Sequence, residues 1–404
     1  MNGAATQRRL LDELVERSLA QHRCPSIAWG VLEHGHLVVA GGSGLLHDGA
    51  PPDEHTRYRI ASMSKSFTTA AVLGLRDDGV LRLDDPITTF APELADVVGP
   101  AGSQAVTLRH LLSMTSGLAT DDAWADRHLD LSPDELDLAV QRPLFAHRVN
   151  ESFEYSNLGF ALIGRVVWRA TGTRVQDHVS RRLLEPLGLH STTWTFPDGT
   201  RWAHPRRLVE GEEVDDALVL GDGEMAPMGG LWSTVSDLAR WVAWLDRAND
   251  AEAHDEVGLS ASSRREMQRM QTYIGTSTVV GRTSPSGYGF GLNMRDDTDL
   301  GMVVAHSGGL PGYGSNMRWM KGRGTGAIAL ANLFYAPMHE LTLEMLAALH
   351  DAGAIAPTPV QEAPLLESAA RRLVALLNDW SHQRADDLFT DNVPLDESYA
   401  LRAA

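Results

Sequence analysis

Extended segments sit towards the two ends of this 404-residue chain, and helical patterns fill most of the space between them. Ser26–Glu33 and His36–Gly42 are β-rich runs separated by a His34-Gly35 turn, a hairpin signature. Three more β-type runs return late, at Met302–His306, Ser315–Met320 and Thr325–Asn332, before a helical Pro337–Asp351. Strands that lie so far apart in sequence can share a sheet only if the chain between them loops out as a body of its own. The expected fold is therefore α+β: an antiparallel sheet built from both ends of the chain, flanked by helices, with a large, mainly helical insertion over about residues 80–290. Within that stretch the helical periodicity is clearest at Thr107–Met114, Leu158–Ala170, Val175–Leu184, Val235–Asp246 and Ser262–Met270. Ahead of it, a short extended Tyr58–Ile60 runs into a helix from Ser62 to about Asp78, closed by Gly79.

The first 19 residues place Leu10, Leu11, Leu14 and Val15 among charges, an amphipathic helix rather than the unbroken apolar core of a secretory signal. No run approaches the ~18 apolar residues of a membrane span, so the expectation is a cytoplasmic protein. Residues 353–364 read GAIAPTPVQEAP, which is linker composition. The expected layout is a main domain over 1–352, this linker, and a C-terminal helical segment over 365–404, with Ser368–Trp380 as one amphipathic helix. About fifty residues are few for an independent core, so the segment either packs on the main body or belongs to a further module. The net charge of −18 argues against nucleic acid or anionic lipid as a partner and favours substrates with a free amine. The one cysteine, Cys24, leaves no internal disulfide to form; ahead of Pro25 at a strand start it reads as a small buried filler.

Of the 35 basic residues, 33 are arginine and only Lys65 and Lys321 are lysine. Arginine keeps its proton at any ordinary pH, whereas a desolvated lysine can release it. Lys321 lies in a turn between two expected strands, where an exposed charge suffices. Lys65 ends the tetrapeptide Ser62-Met63-Ser64-Lys65 at the first turn of a helix. Residues three apart share a helix face, so Ser62 and Lys65 point the same way. A hydroxyl needs an adjacent base to become a nucleophile, and a partly desolvated lysine supplies one. The helix N-terminus adds free N–H groups where an oxyanion would form.

Competing chemistries lack their residues. There is no G-x-S-x-G elbow, no phosphate-binding G-x-x-x-x-G-K-[ST], no H-E-x-x-H and no C-x-x-C. Tyr155-Ser156-Asn157 precedes a helix and offers a second proton-handling group, a phenol that flanking cations would bring down in pKa, with an amide side chain for an amide-like substrate. His306-Ser307-Gly308-Gly309 ends a β-run, and its glycines let a substrate backbone approach a sheet edge.

Taken together and in this order, Ser62-Met63-Ser64-Lys65, Tyr155-Ser156-Asn157 and His306-Ser307-Gly308 resemble the three motifs of the serine β-lactamase and penicillin-binding protein superfamily, in its class C β-lactamase-like branch. Leu108-Arg109-His110-Leu111-Leu112 with Thr115-Ser116-Gly117-Leu118, Gly229-Gly230-Leu231 with Ser233-Thr234, and Gly287-Tyr288-Gly289-Phe290-Gly291 agree with it. The resemblance covers roughly residues 5 to 350 and implies a β-lactamase/transpeptidase-like fold. It also implies two-step acyl transfer with no metal or cofactor: Ser62 attacks a carbonyl, Lys65 and Tyr155 manage the proton, the backbone N–H groups of Ser62 and Gly309 hold the oxyanion, and water hydrolyses the acyl-enzyme. Asn157, His306, Ser307, Gly308 and Gly309 would then contact substrate.

The class C enzymes carry lysine where this chain has His306, which titrates near neutrality and gives a weaker, pH-dependent charge. That shifts the expectation away from a dedicated β-lactamase. It leaves a hydrolase for a small amide, a D-residue peptide (D-aminopeptidase-like) or an ester. A DD-carboxypeptidase or a penicillin-binding protein that deacylates slowly is the alternative, with an inactive scaffold behind it. The partner expected is a small molecule or short peptide; the sequence does not set an oligomeric state.

Overall fold

The computed structural model describes residues 3–197, 201–216, 220–250, 257–355, 364–390 and 393–403. The chain divides into two compact units, Met1–Ala356 and Pro357–Ala404. Most of the expected linker, residues 356–363, lies outside the described residues.

In the first unit the strands run β1 (Ser26–Glu33), β2 (His36–Gly44), β3 (Tyr58–Arg59), β4 (Arg206–Val209), β5 (Glu212–Asp215), β6 (Trp232–Ser233), β7 (Thr272–Val279), β8 (Arg282–Tyr288), β9 (Asn293–Asp297), β10 (Gly301–Leu310), β11 (Tyr313–Met320) and β12 (Thr325–Ala331). The helices are α1 (Gly3–His22), α2 (Ser64–Asp77), α3 (Leu108–Leu112), α4 (Asp122–Ala125), α5 (Pro133–Val140), α6 (Asn157–Thr171), α7 (Val175–Val179), α8 (Val235–Arg247), α9 (Ala261–Met267) and α10 (Met338–Asp351). Eight strands form one sheet in the order β2-β1-β12-β11-β10-β9-β8-β7, every neighbouring pair antiparallel. β1 pairs with β12 from Ile27↔Ala331 to Leu32↔Gly326, so the two ends of the domain do meet in one sheet.

Alternation along the central strands sorts side chains onto two cores, as a period of two requires. Ile27, Trp29 and Val31 of β1 and Ala327, Ala329 and Ala331 of β12 face one core with Leu11, Leu14 and Val15 of α1 and Leu341, Met345 and Leu346 of α10. Ala28, Leu32, Ile328 and Leu330 face the other, larger core, which takes in α2, α6 and α8. The central strands are thus covered on both faces, and β1, β11 and β12 are buried almost throughout.

Two expectations need correcting. The helical insertion does not reach residue 290: β7, β8 and β9 follow α9 and widen the sheet from Thr272 onwards. β7 alternates half-buried and exposed positions rather than apolar and polar ones, so it carries no hydrophobic period to read. Also, the helix expected over Val175–Leu184 is α7 followed by a wider π turn, Ser180–Leu184.

The second unit contains α11 (Pro364–Asn378), α12 (His382–Asp386), α13 (Val393–Asp396) and α14 (Tyr399–Arg402). Within it Tyr399 stands against Trp380, His382 and Phe389, with ring centroids 6.0, 5.6 and 6.5 Å away. No helix among the described residues is long and apolar enough to cross a membrane.

Candidate active site

β3 pairs with β6 and delivers the chain into a 3₁₀ turn, Ala61–Met63, before α2 begins at Ser64. Ser62 therefore sits in the 3₁₀ turn rather than in the α-helix itself, and the i, i+3 eclipse of that geometry still stacks it beside Lys65. Ala61 has φ +49°, a left-handed conformation that costs a residue with a Cβ and is held only by surrounding structure. Part of that structure is Ile60, whose N–H bonds the Leu231 carbonyl at 3.0 Å and whose carbonyl accepts the Ser315 hydroxyl at 2.8 Å. The turn that presents Ser62 is pinned from both sides.

Lys65 is fully buried. Its Nζ donates to Ser62 Oγ at 2.9 Å, to Asn157 Oδ1 at 2.7 Å and to the Met228 carbonyl at 2.9 Å, and it lies 4.8 Å from the centre of the Tyr155 ring. Burial pushes the Lys65 ammonium down to about 8, against the pull of Asp126, Asp122 and Asp121. Those acids hold the surroundings in place. Asp121 accepts the backbone N–H groups of Asn157 (2.8 Å) and Leu158 (2.7 Å) at the head of α6, and Asp122 accepts Asn157 Nδ2 at 2.7 Å. Ser156 caps α6 by accepting from the Gly159 N–H at 3.3 Å. Asn157 thus reaches Lys65 with its oxygen because Asp122 has fixed its nitrogen on the other side.

Tyr155 faces Ser62, but its phenol does not titrate as the sequence led one to expect. Burial holds it well above its usual range, with nearby Tyr288 and the acids adding to the effect and Ser62 opposing it. Burial outweighs any pull that Lys65 exerts on the phenol. Tyr155 is a protonated phenol, a donor.

His306 is also corrected. It is 2% exposed, and burial together with Lys65 pushes its imidazole down to about 3. Its Nε2 lies 3.0 Å from Tyr288 Oη and its Nδ1 2.6 Å from the Ser307 carbonyl. A neutral ring needs one donor and one acceptor nitrogen, and this pair of partners suits it: Nδ1–H donates to the carbonyl and Nε2 accepts the phenol. His306 brings no positive charge near neutrality. Asn316 of β11 donates to the His306 carbonyl (3.2 Å) and to Ser307 Oγ (2.9 Å), while Thr342 of α10 donates to Asn316 Oδ1 (2.6 Å).

The glycines of β10 are required by contact. A Cβ at Gly308 would stand 2.2 Å from the Ile60 carbonyl, and one at Gly309 would stand 2.5 Å from the Tyr335 ring. Tyr335 has φ +51°, and its hydroxyl donates to Asp126, which is 3% exposed. Burial raises the Asp126 carboxyl well above the usual carboxylate range. Ser62, Lys65 and Asn157 are therefore in direct contact, with Tyr155 against Lys65 and Gly308 against the residue two before the nucleophile candidate.

Sequence reasoning missed Met228, Tyr288, Asn316, Tyr335, Asp121, Asp122 and Asp126. Tyr288 lies in a quoted motif, Met228 directly precedes a second and Asp121-Asp122 follow a third, so proximity in sequence to a motif was the available signal for these four. Nothing marked Tyr335. Lys321 is not the exposed turn charge expected: it is half-buried, its Nζ donates to the Gln268 carbonyl at 2.7 Å, and burial pushes its ammonium down. Cys24 is buried, with its thiol pushed up to about 12, in line with an inert filler.

Residues 11–352 match the protein-family model described as Beta-lactamase. Protein flp of Staphylococcus aureus (strain MW2) is 24% identical over 329 residues, which cover 80% of this chain and 62% of that protein, so the chain spans less than two thirds of that relative. Uncharacterized protein MT1414 of Mycobacterium tuberculosis (strain CDC 1551 / Oshkosh) is 30% identical over 285 residues, covering 62% of this chain and 69% of that protein. Among solved structures, the octameric penicillin-binding protein homologue from Pyrococcus abyssi superimposes with a TM-score of 0.71 at 24% identity over 90% of this chain and 80% of that one. The D-stereospecific amidohydrolase from Streptomyces sp. gives 0.67 at 22% identity over 86% and 99%. At these identities the two structures establish the fold.

Proposed function

The chain belongs to the Beta-lactamase family, and from that premise we propose that it is a serine hydrolase that cleaves an amide, D-residue peptide or ester bond through an acyl-enzyme on Ser62. The observation that carries the reading is the fully buried ammonium of Lys65 held 2.9 Å from Ser62 Oγ, in a site where burial makes its proton removable.

In its neutral form Lys65 accepts the Ser62 proton as Oγ bonds to the substrate carbonyl carbon. The N–H groups of Ser62 and Gly309 receive the oxyanion that forms. The bond to the leaving group then breaks, and Tyr155, a protonated phenol beside Lys65, gives its proton to the departing nitrogen or oxygen and is reprotonated from Lys65. Water repeats the sequence in reverse on the ester to Ser62 and regenerates the hydroxyl. Asn157 holds Lys65 on one side and Met228 on the other, so the base has no room to swing away from Ser62. A neutral His306 supports a role in shaping the β10 edge through Tyr288 and Ser307, rather than in drawing a substrate carboxylate by charge. D-configured amides are the first substrates to try, given the fold shared with a D-stereospecific amidohydrolase.

The test is direct. Ser62→Ala should abolish turnover of p-nitrophenyl esters and D-alanyl anilides together with covalent labelling by a fluorophosphonate. Lys65→Arg should lose about 10²–10⁴-fold in kcat, since a guanidinium does not accept the proton. Wild-type turnover in the Ser62 variant would refute the mechanism, and a single stoichiometric burst without turnover would replace hydrolysis by penicillin-binding behaviour.

A further inference from the structure

The eight-stranded sheet has two edges, and the chain treats them differently. At one edge β2 is blunted: Arg8 of α1 donates to the Ala40 carbonyl at 3.0 Å, and Pro52 packs against Gly42 with no room for a side chain. At the other edge β7 is bare. Tyr273 is 61% exposed and Ile274 42%, and Thr276 and Thr278 are exposed beside them. Residues 270–281 contain no Asp, Glu, Lys, Arg or Pro, in a chain that is 22% charged. Edge strands ordinarily carry a charge or a proline, because their unpaired N–H and C=O groups are a template for another strand.

The register with β8 fixes which backbone groups β7 leaves open. Val280 and Gly281, with φ +44° and +76°, make a two-residue hairpin turn, so Val279 and Arg282 are a hydrogen-bonded pair. Pairs alternate along an antiparallel ladder, which makes Ser277↔Ser284 hydrogen-bonded as well and leaves Thr278↔Thr283 and Thr276↔Pro285 non-bonded. The proline at 285 agrees, since it has no N–H to give β7. Thr276 and Thr278 therefore aim their own N–H and C=O groups outward. A bulge at Ile274, where the register passes from Tyr273 to Gly275, ends the regular edge on one side, and the turn ends it on the other.

We propose that the β7 edge is an interface with a second copy of this chain, the two β7 strands pairing antiparallel about a two-fold axis at Ser277. In that register Thr276 exchanges backbone hydrogen bonds with Thr278 of the second copy, and Thr278 with its Thr276, while the two Ser277 residues face each other as a non-bonded pair. Thr–Thr neighbours across strands are favourable. Tyr273 and Ile274 fall beside the Val280-Gly281 turn of the second copy, which gives two exposed apolar side chains cover. Two features commit the edge to a second copy. Thr276-Ser277-Thr278 reads the same in both directions, as a surface that meets itself requires. And no like charges meet across the axis, although the chain as a whole carries −18; Arg282 at the turn is already paired with Asp297 and Asp299. The inference stands apart from the acyl-transfer reading.

Size-exclusion chromatography with light scattering on the full chain is the first readout. The mass should pass from 44.0 kDa to twice that value as concentration rises from about 1 to 100 µM. Thr276→Lys with Thr278→Lys sets like charges opposite each other and should hold the protein monomeric with Tm unchanged. Thr276→Lys with Thr278→Glu sets opposite charges there and should restore the dimer. Ser277→Cys should form an intermolecular disulfide on mild oxidation, because a non-bonded pair brings the two Cα atoms within disulfide reach. Thr283→Cys, exposed but one strand further in, should not, and the buried Cys24 does not compete. A wild type that stays monomeric up to about 100 µM overturns the proposal and leaves the edge to an unlike strand. So does a dimer that the two double variants affect alike, or equal cross-linking of the two cysteine variants.

Discussion

Lys65 is a base only because of what its neighbours withhold. Desolvation drives its proton off, and three carboxylates, Asp126 first among them, pull it back. The balance sets a testable pH profile. Below about 8 the ammonium dominates and cannot accept the Ser62 proton, so kcat/KM should be low at acid pH and rise through that region. Asp126 favours the ammonium only where it is ionised, and burial raises its carboxyl into the same region; Asp126→Asn removes that contribution, so the acid limb should move to lower pH. The groups facing Lys65 are Asp121, Asp122 and Asp126, the Tyr155 phenol and the His306 imidazole. Of these, His306 is already neutral across the working range, so no inflection near pH 6–7 should accompany the limb. A stopped assay over pH 5–10 on both proteins checks the point, and an unmoved limb would remove Asp126 from the electrostatics of the base. Asp126 itself is held in part by Tyr335, so the variant that keeps a hydrogen-bonding side chain is the fair comparison.

Between elements, the closest fit is the one of β10 against the turn that carries Ser62. Gly308 leaves no space towards the Ile60 carbonyl, and Ser315 of β11 bonds that same carbonyl. Gly308→Ala should push β10 away from Ala61, destabilise the fold by about 1–3 kcal/mol and lower kcat by more than the stability loss explains. Thermal unfolding and kcat measured on the same preparation separate the two, and wild-type kcat would mean that β10 does not position the oxyanion. This junction also shows what the sequence could carry. The tetrapeptide around Ser62, the tripeptide around Tyr155 and the glycines after His306 were legible because each packs its chemistry into three or four consecutive residues. The ionisation of His306 was not, since it depends on burial in the finished fold and on Lys65, brought to it from the far end of the domain. Tyr335 was invisible for the same reason: its meaning lies in Gly309 and Asp126, which no local pattern connects to it. The outer sheet strands β7 to β9 were missed through polarity, whereas β1, β11 and β12 announced themselves because they are buried on both faces.

Over the whole chain, the two-ended sheet has a consequence for where chemistry can be lost. β1 and β12 close the domain between Ile27 and Ala331, and α1 and α10 cover that junction from one face with Leu11, Val15, Leu341 and Met345. Every side chain assigned to the site, and every residue of both cores, belongs to Met1–Ala356. Among the described residues, the last one of these two cores is Ile355. A chain ending at Ala356 should therefore fold, melt within a few degrees of the full-length protein and turn over a short p-nitrophenyl ester within about twofold, because it retains every apolar side chain of the two cores. Removing α1 instead should be severe. It strips Leu11, Leu14 and Val15 from the core that backs β1, a loss of about 1.5–3 kcal/mol for each fully buried apolar side chain, against a total stability of only about 5–15 kcal/mol. Thermal melts and ester turnover on the two truncations decide it: a loss of more than tenfold in kcat/KM with Tm unchanged in the protein ending at Ala356 would assign residues 357–404 a part in the site.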